Sequence, residues 1–206
     1  MIQLHATHKL FDRLPLNDQG QFSVTAKSQW LHEQASLEHN PLSGWHGNLL
    51  TLQRRNTLLL VHDATRFPLV LPALTKADWL EINDRFVDAL MNTLVKCGAE
   101  EHHLDVVHKL LRPLQVDSIC DRSVQGTLNR IKGDIESMLW HEQVNLAEIT
   151  GYSVGAWLAD SPSSVRGQGY LHPKKEMLQL LEVAGKAITP EVSLAIICHL
   201  DHQLKA

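Results

Sequence analysis

WHGNLLTLQRRNTLLLVHDATRFPLVL, residues 45–71, is the stretch on which the fold turns. Trp45 to Gln53 alternates loosely and ends at the polar group Arg54-Arg55-Asn56. Thr57 to Val61 is an apolar run of strand length, His62-Asp63-Ala64-Thr65 reads as a turn, and Arg66 to Leu71 reads as a third strand closed by Pro72. Strands joined by links this short run antiparallel, because parallel neighbours need a crossover of about a dozen residues. Pro68 has no N–H to give a ladder, which places the third strand at an edge. The central strand is almost continuously apolar, which predicts cover on both faces.

Helices flank this meander. In Thr75 to Lys96, the residues Ile82, Phe86, Leu90 and Leu94 recur every fourth position, so one long amphipathic helix is expected, capped by Thr75 or Asp78. Glu100 to Leu111 has a second apolar face and ends before Pro113. The cleanest stripe is Val124, Leu128, Ile131, Ile135 and Met138, in a helix opening at Asp121 or Ser123 and reaching about Trp140. Trp79 and Trp140 are assigned to the core or its rim. Gly126 and Gly133 each cost roughly 1 kcal/mol against alanine inside an exposed helix, and a close helix-to-backbone contact would explain them.

Met1 to Leu4 and Leu114 to Cys120 are expected to add short strands. Thr7 to Leu14 and Leu31 to Leu37 are expected to be short helices. Leu146 to Ala159 reads as partly helical despite Gly151 and Gly155. Pro173 opens a helix ending at Gly185, and Pro190 opens a last one. The class is therefore α+β: an antiparallel meander of three to five strands packed against two long amphipathic helices, with a helical C-terminal segment. The expected division is a core domain over 1–145 and a helical extension packed on it over 146–206.

A chain of 206 residues with 44% hydrophobic residues can bury a core without disulfides or a structural metal. A formal charge of -4 argues against a protein that coats nucleic acid. Cys97, Cys120 and Cys198 lie far apart without a CxxC pair, so free thiols are expected, those of Cys97 and Cys120 buried or inert. No signal-peptide core and no membrane-length apolar run are present, and a cytoplasmic location follows as the expectation.

In the meander, Arg54-Arg55 and His62 to Thr65 sit at opposite ends of the central strand, so they cannot all meet. His46 starts the first strand and lies near the His62-Asp63 end. Asp121-Arg122-Ser123 precedes the best helix, whose first turn offers unpaired N–H groups to an anion; Asn129 follows in the second turn. The candidate ligand-binding residues are His46, Asn48, Arg54, Arg55, Asp63, Arg66, Arg122, Ser123 and Asn129. Solvated hairpin charges and ordinary helix capping are the competing reading. None of the thirteen histidines forms HExxH, and neither a metal nor a cofactor is expected. GxSxG and GxxxxGK[ST] are absent as well.

Three functions stay open. The first is a binding or regulatory module for a protein or a small anionic ligand. The second is a hydrolase or nuclease acting on a phosphate-containing substrate through His46, Asp63 and an arginine clamp. The third is a structural or oligomeric interaction protein, such as a homodimer. Whether the chain is an enzyme is left undecided.

Three segments together carry a resemblance: Trp45-His46-Gly47-Asn48 through Arg54-Arg55, then Leu60-Val61-His62-Asp63-Ala64-Thr65-Arg66, then Asp121-Arg122-Ser123-Val124-Gln125-Gly126-Thr127-Leu128-Asn129. They resemble a bacterial family of uncharacterised small single-domain proteins. That pattern has a tryptophan–histidine–small–asparagine start, a basic pair at the first turn, an Asn/His-Asp-x-Thr turn, and an arginine–serine followed by glycine and asparagine. Gly47 stands where the pattern has alanine, and Leu128 where methionine is common. The resemblance covers roughly residues 1 to 140. It implies that the matching polar residues belong to one recurring design, and it names no activity.

Overall fold

The computed structural model describes residues 1–165 and 169–203, with side chains described through 188. Its centre is the expected hairpin pair. Strands β2 (Trp45–Leu52), β3 (Arg55–His62) and β4 (Pro68–Leu74) pair antiparallel in succession. The β2–β3 link is a two-residue turn in which Gln53 and Arg54 take φ of 45° and 64°, the geometry that matches the twist of adjoining strands. Pro68 does begin an edge strand.

Two further strands make the sheet mixed. β1 (Ile2–Ala6) lies parallel to β2 on one side and parallel to β5 (Leu114–Asp117) on the other, giving the order β4-β3-β2-β1-β5. A separate short hairpin joins β6 (Ser163–Val165) and β7 (Gly169–Leu171).

Both faces of β3 are covered, as its composition requires. Leu58 and Leu60 enter one core with Ile2, Leu4, Leu69, Leu71, Phe86 and Leu90. Leu59 and Val61 enter a second with Val70, Val124, Leu128, Ile131 and Ile135. The first face carries α1 (His8–Phe11), α4 (Ile82–Lys96), α5 (Glu101–Leu110) and part of α8 (Pro173–Gln203). The second carries α6 (Arg122–His141), while α7 (Gly151–Asp160) lies along β4 and against α4, sending Val154 and Leu158 to the second core and Ala159 to the first. A short α2 (Gln29–Glu33) stands in place of the helix expected over Leu31 to Leu37, and buries Leu31.

Several sequence expectations change. The long helix from Thr75 is two: α3 (Lys76–Leu80) and α4, broken at Glu81, whose N–H closes back on the Asp78 carbonyl. Thr75 and Asp78 form the capping box of α3. Gly185 does not end a helix, because α8 runs on through it; the side chains around Pro190 lie outside the description. Trp140 is not in the core. It is 80% exposed, since the apolar stripe of α6 passes through Leu139 instead. Cys97 is buried, but Cys120 is exposed.

The glycines divide sharply. A Cβ on Gly126 or Gly133 meets nothing within 4 Å, so no close contact accounts for them. A Cβ on Gly151 falls 2.0 Å from the Val70 carbonyl oxygen, and one on Gly155 lies 3.3 Å from that of Pro68. The glycines that weaken α7 as a helix are thus what lets it lie directly on edge strand β4, shielding that edge.

Candidate functional site

Strand pleating sorts β1 and β5. Ile2, Leu4, Ala6, Leu114 and Val116 enter the first core, so Gln3, His5, Gln115 and Asp117 project to the opposite face. There α6 packs on β2 and β3, and β1 and β5 keep a polar surface. The chain leaves β1 towards the first face, where Leu10 of α1 is buried, and leaves β5 towards α6 on the second. Carboxyl ends of adjacent parallel strands whose connections depart to opposite faces bound a crevice, the usual ligand position in open α/β sheets.

Two histidine–aspartate pairs stand in that crevice. β1 and β2 run in register so that His5 lies beside His46, with ring centroids 4.8 Å apart. His46 Nδ1 is 2.6 Å from Asp63 Oδ1, and its Nε2 accepts the Asp121 backbone N–H at 2.8 Å. That acceptor role puts the ring proton on Nδ1, where it is donated to Asp63. Both nitrogens of His46 are therefore committed.

His5 is held differently. Its Nδ1 donates to Asp117 Oδ1 at 2.7 Å, while Asp117 also accepts Gln3 Nε2–H at 2.9 Å and the Ile119 N–H at 2.9 Å. Its Nε2 faces Asp63 Oδ2 at 3.8 Å, beyond hydrogen-bond range. His5, Asp63 and Asp117 are 17%, 31% and 30% exposed, so this side of the cluster reaches solvent. Asp63 is admitted by Gly44, at φ +91°, where a Cβ would stand 3.2 Å from Asp63 Oδ2.

Arg66 closes the back. It is 6% exposed, donates to the Asp63 carbonyl through Nη1 and to Ser123 Oγ through Nη2 at 3.1 Å, and leaves Nε unpartnered. Burial pulls its guanidinium below the usual value, and the charges of Asp121 and Asp63 pull it back. Asp121 caps α6: its carboxylate accepts the Ser123 and Val124 N–H groups at 2.6 and 3.2 Å. Those bonds hold the Asp121 carboxyl below its ordinary value, with help from the Arg66 guanidinium. The helix terminus expected to receive an anion thus already holds one from its own chain.

Of the sequence candidates, His46, Asp63, Arg66 and Ser123 come together. Asn48 lies on the same strand face as His46 and accepts from Thr7 Oγ1 at 3.2 Å. Arg54 and Arg55 sit at the far end of the β2–β3 hairpin, exposed. Arg122 and Asn129 are exposed on α6. Sequence reading named Asp121 as an opener of α6, which it is, but missed His5, Asp117 and Gln3 as members of the site. The polar second and fourth positions of the apolar segment Ile2-Gln3-Leu4-His5-Ala6 were the available signal.

Elsewhere, His102, His103 and Glu182 converge, with both Nε2 atoms on Glu182 Oε1 at 2.6 and 3.1 Å. The Glu100 N–H donates to His103 Nδ1 at 3.1 Å, so the His103 proton sits on Nε2. A metal at Nε2 would have to displace that proton and break the α5 cap. The group acts as two N–H donors clasping a carboxylate between α5 and α8.

The model of the domain of unknown function DUF6933 matches residues 3–176. The chain belongs to this family. Its match takes in every strand, β1 from Gln3 onward, and every crevice residue named above. No curated protein matches the chain. Among solved structures, a chain in the cryo-EM structure of a simian T-cell lymphotropic virus intasome in complex with PP2A regulatory subunit B56 gamma is similar over 84% of this chain and 63% of that chain. The identity is 9% and the TM-score 0.36, a likeness from which nothing about this protein is argued. No helix among the described residues is long and apolar enough to cross a membrane.

Proposed function

We propose that this member of the family is a binding module that takes a small polar ligand in the crevice at the carboxyl ends of β1 and β5, and that it works in the cytoplasm. One observation carries the reading: His5 Nε2 and Asp63 Oδ2 are partly exposed acceptors without a hydrogen bond among the described residues, on a frame whose other polar atoms are largely paired. Pairing of that kind fixes the frame before a ligand arrives, which lowers the ordering cost of binding.

The free thiols are the support for the cytoplasm. An anionic ligand has less support than an open helix terminus would lend it, because Asp121 fills the α6 terminus. A hydrolase acting through His46 has less support too, because both of its nitrogens are committed. The interaction-protein reading keeps one specific support: Trp140 and Trp157 are 80% and 45% exposed on α6 and α7.

The test is a backbone ¹H–¹⁵N chemical-shift titration of the full chain with a panel of polar metabolites. Saturable shifts confined to Gln3, His5, Asn48, Asp63 and Asp117 are expected. Shifts elsewhere, or none across the panel, overturn the reading.

A further inference from the structure

Given the crevice as the binding site, on which this inference rests, we infer that it recognises a protonated primary amine, seated between His5 Nε2 and Asp63 Oδ2. The two acceptors lie 3.8 Å apart. That is too far to bond each other. It is close enough for one nitrogen donor to reach both at about 2.9 Å. Each comes from a different strand end, and each is held from behind. Asp117 fixes the His5 ring through Nδ1, which leaves the Nε2 lone pair outward. His46 occupies Asp63 Oδ1, which leaves Oδ2.

The charge around this point is acidic. Asp63 and Asp121 act on the buried guanidinium of Arg66, whose Nη groups bond the Asp63 carbonyl and Ser123, and Asp117 adds a third carboxylate behind His5. A phosphate placed here would meet the Asp63 carboxylate directly and find the α6 N–H groups taken. An ammonium meets one carboxylate oxygen and one imidazole lone pair, and it offers the donors that both lack. An amine with a free N–H is required. A quaternary ammonium carries the same charge and no donor.

The experiment is a chemical-shift titration of the full chain with three probes: n-butylammonium, n-butyltrimethylammonium and inorganic phosphate. Butylammonium is expected to shift Gln3, His5, Asp63 and Asp117 saturably. The trimethyl ion, which loses both hydrogen bonds, should bind at least tenfold more weakly, about the effect of losing the bond to the carboxylate alone. Phosphate should leave these amides unmoved. Asp63→Asn keeps an acceptor for His46, and His5→Leu keeps bulk in the sheet. With each variant's dispersed spectrum unchanged, each should weaken butylammonium by a similar factor.

Equal affinity for the two ammonium ions would overturn the proposal, leaving only a non-specific charge effect. So would unaltered binding in both variants, or no saturable binding of butylammonium. Phosphate alone moving these amides would overturn it while keeping the crevice as a site. A crevice unmoved by these probes and by the metabolite panel would overturn both readings.

Discussion

His46 joins two distant parts of the chain through one ring: Nδ1 bonds Asp63 Oδ1 at 2.6 Å and Nε2 accepts the N–H of Asp121 at 2.8 Å. The turn after β3 and the start of α6 are thereby tied across 5% exposed imidazole. His46→Ala would leave a carboxylate and a backbone donor without partners. A loss of about 2–3 kcal/mol is expected, the range for a buried bond to a charged group. Urea denaturation of both proteins measures it; a change under about 0.5 kcal/mol, the range for a neutral surface site, would contradict the role.

His62 sets an acid limit on the fold. It is buried between Trp45 and Thr65, its Nδ1 taken by the Thr65 hydroxyl at 2.9 Å. Its Nε2 makes no hydrogen bond of normal geometry, although the Ser43 and Pro41 carbonyls and Asp63 favour its proton. Burial prevails and pushes it down to about 4. The unfolded chain titrates this residue near pH 6.5, so between those values it binds a proton that the fold refuses. Stability is full above about pH 6.5 and falls as pH drops towards 4, by up to about 3 kcal/mol. His62→Asn should flatten that slope in a pH series of denaturation curves. An unchanged slope would assign it to other groups.

The glycines of α6 and α7 should behave oppositely. Gly126→Ala and Gly133→Ala enter open space and should each stabilise by roughly 0.5–1 kcal/mol. Gly151→Ala drives a methyl into the Val70 carbonyl, so α7 must lift from β4; a loss of about 1–3 kcal/mol is expected. Melting temperatures rank them, and a stabilising Gly151→Ala would refute the contact.

Two thiols should differ in reactivity. Cys97 is 3% exposed, and burial pushes its thiol up to about 11, whereas Cys120 is exposed before α6. Brief alkylation of the native protein, mapped by peptide mass spectrometry, should label Cys120 and spare Cys97. Labelling of Cys97 at a comparable rate would show that the first core opens readily.

The meander was legible because its links are too short for any pairing but the antiparallel one, and the Thr57–Val61 run announces cover on both faces. Half of the crevice was legible: the hairpin alone brings His46 to Asp63, 17 positions on. The other half was not, because its dyad forms only once β1 slots between β2 and β5, and that pairing brings His5 to a residue 112 positions away. No local period encodes such a partner. Trp140 misled for a simpler reason: the apolar stripe of α6 continues at Leu139, and one step along a helix turns a side chain by ~100°. The α7 glycines read as helix breakers because the strand they press against lies some eighty residues earlier (about the separation of Gly151 and Val70).

The arrangement of the two histidine–aspartate pairs is the claim on which the crevice stands, and ring-nitrogen NMR reads it directly. In a long-range ¹H–¹⁵N spectrum of the histidine rings in mildly alkaline buffer, His5 and His46 should both carry their proton on Nδ1, with unprotonated Nε2. A proton found on Nε2 of either ring would mean that Asp117 or Asp63 does not hold it as described; on His5 it would also remove the imidazole acceptor from the crevice.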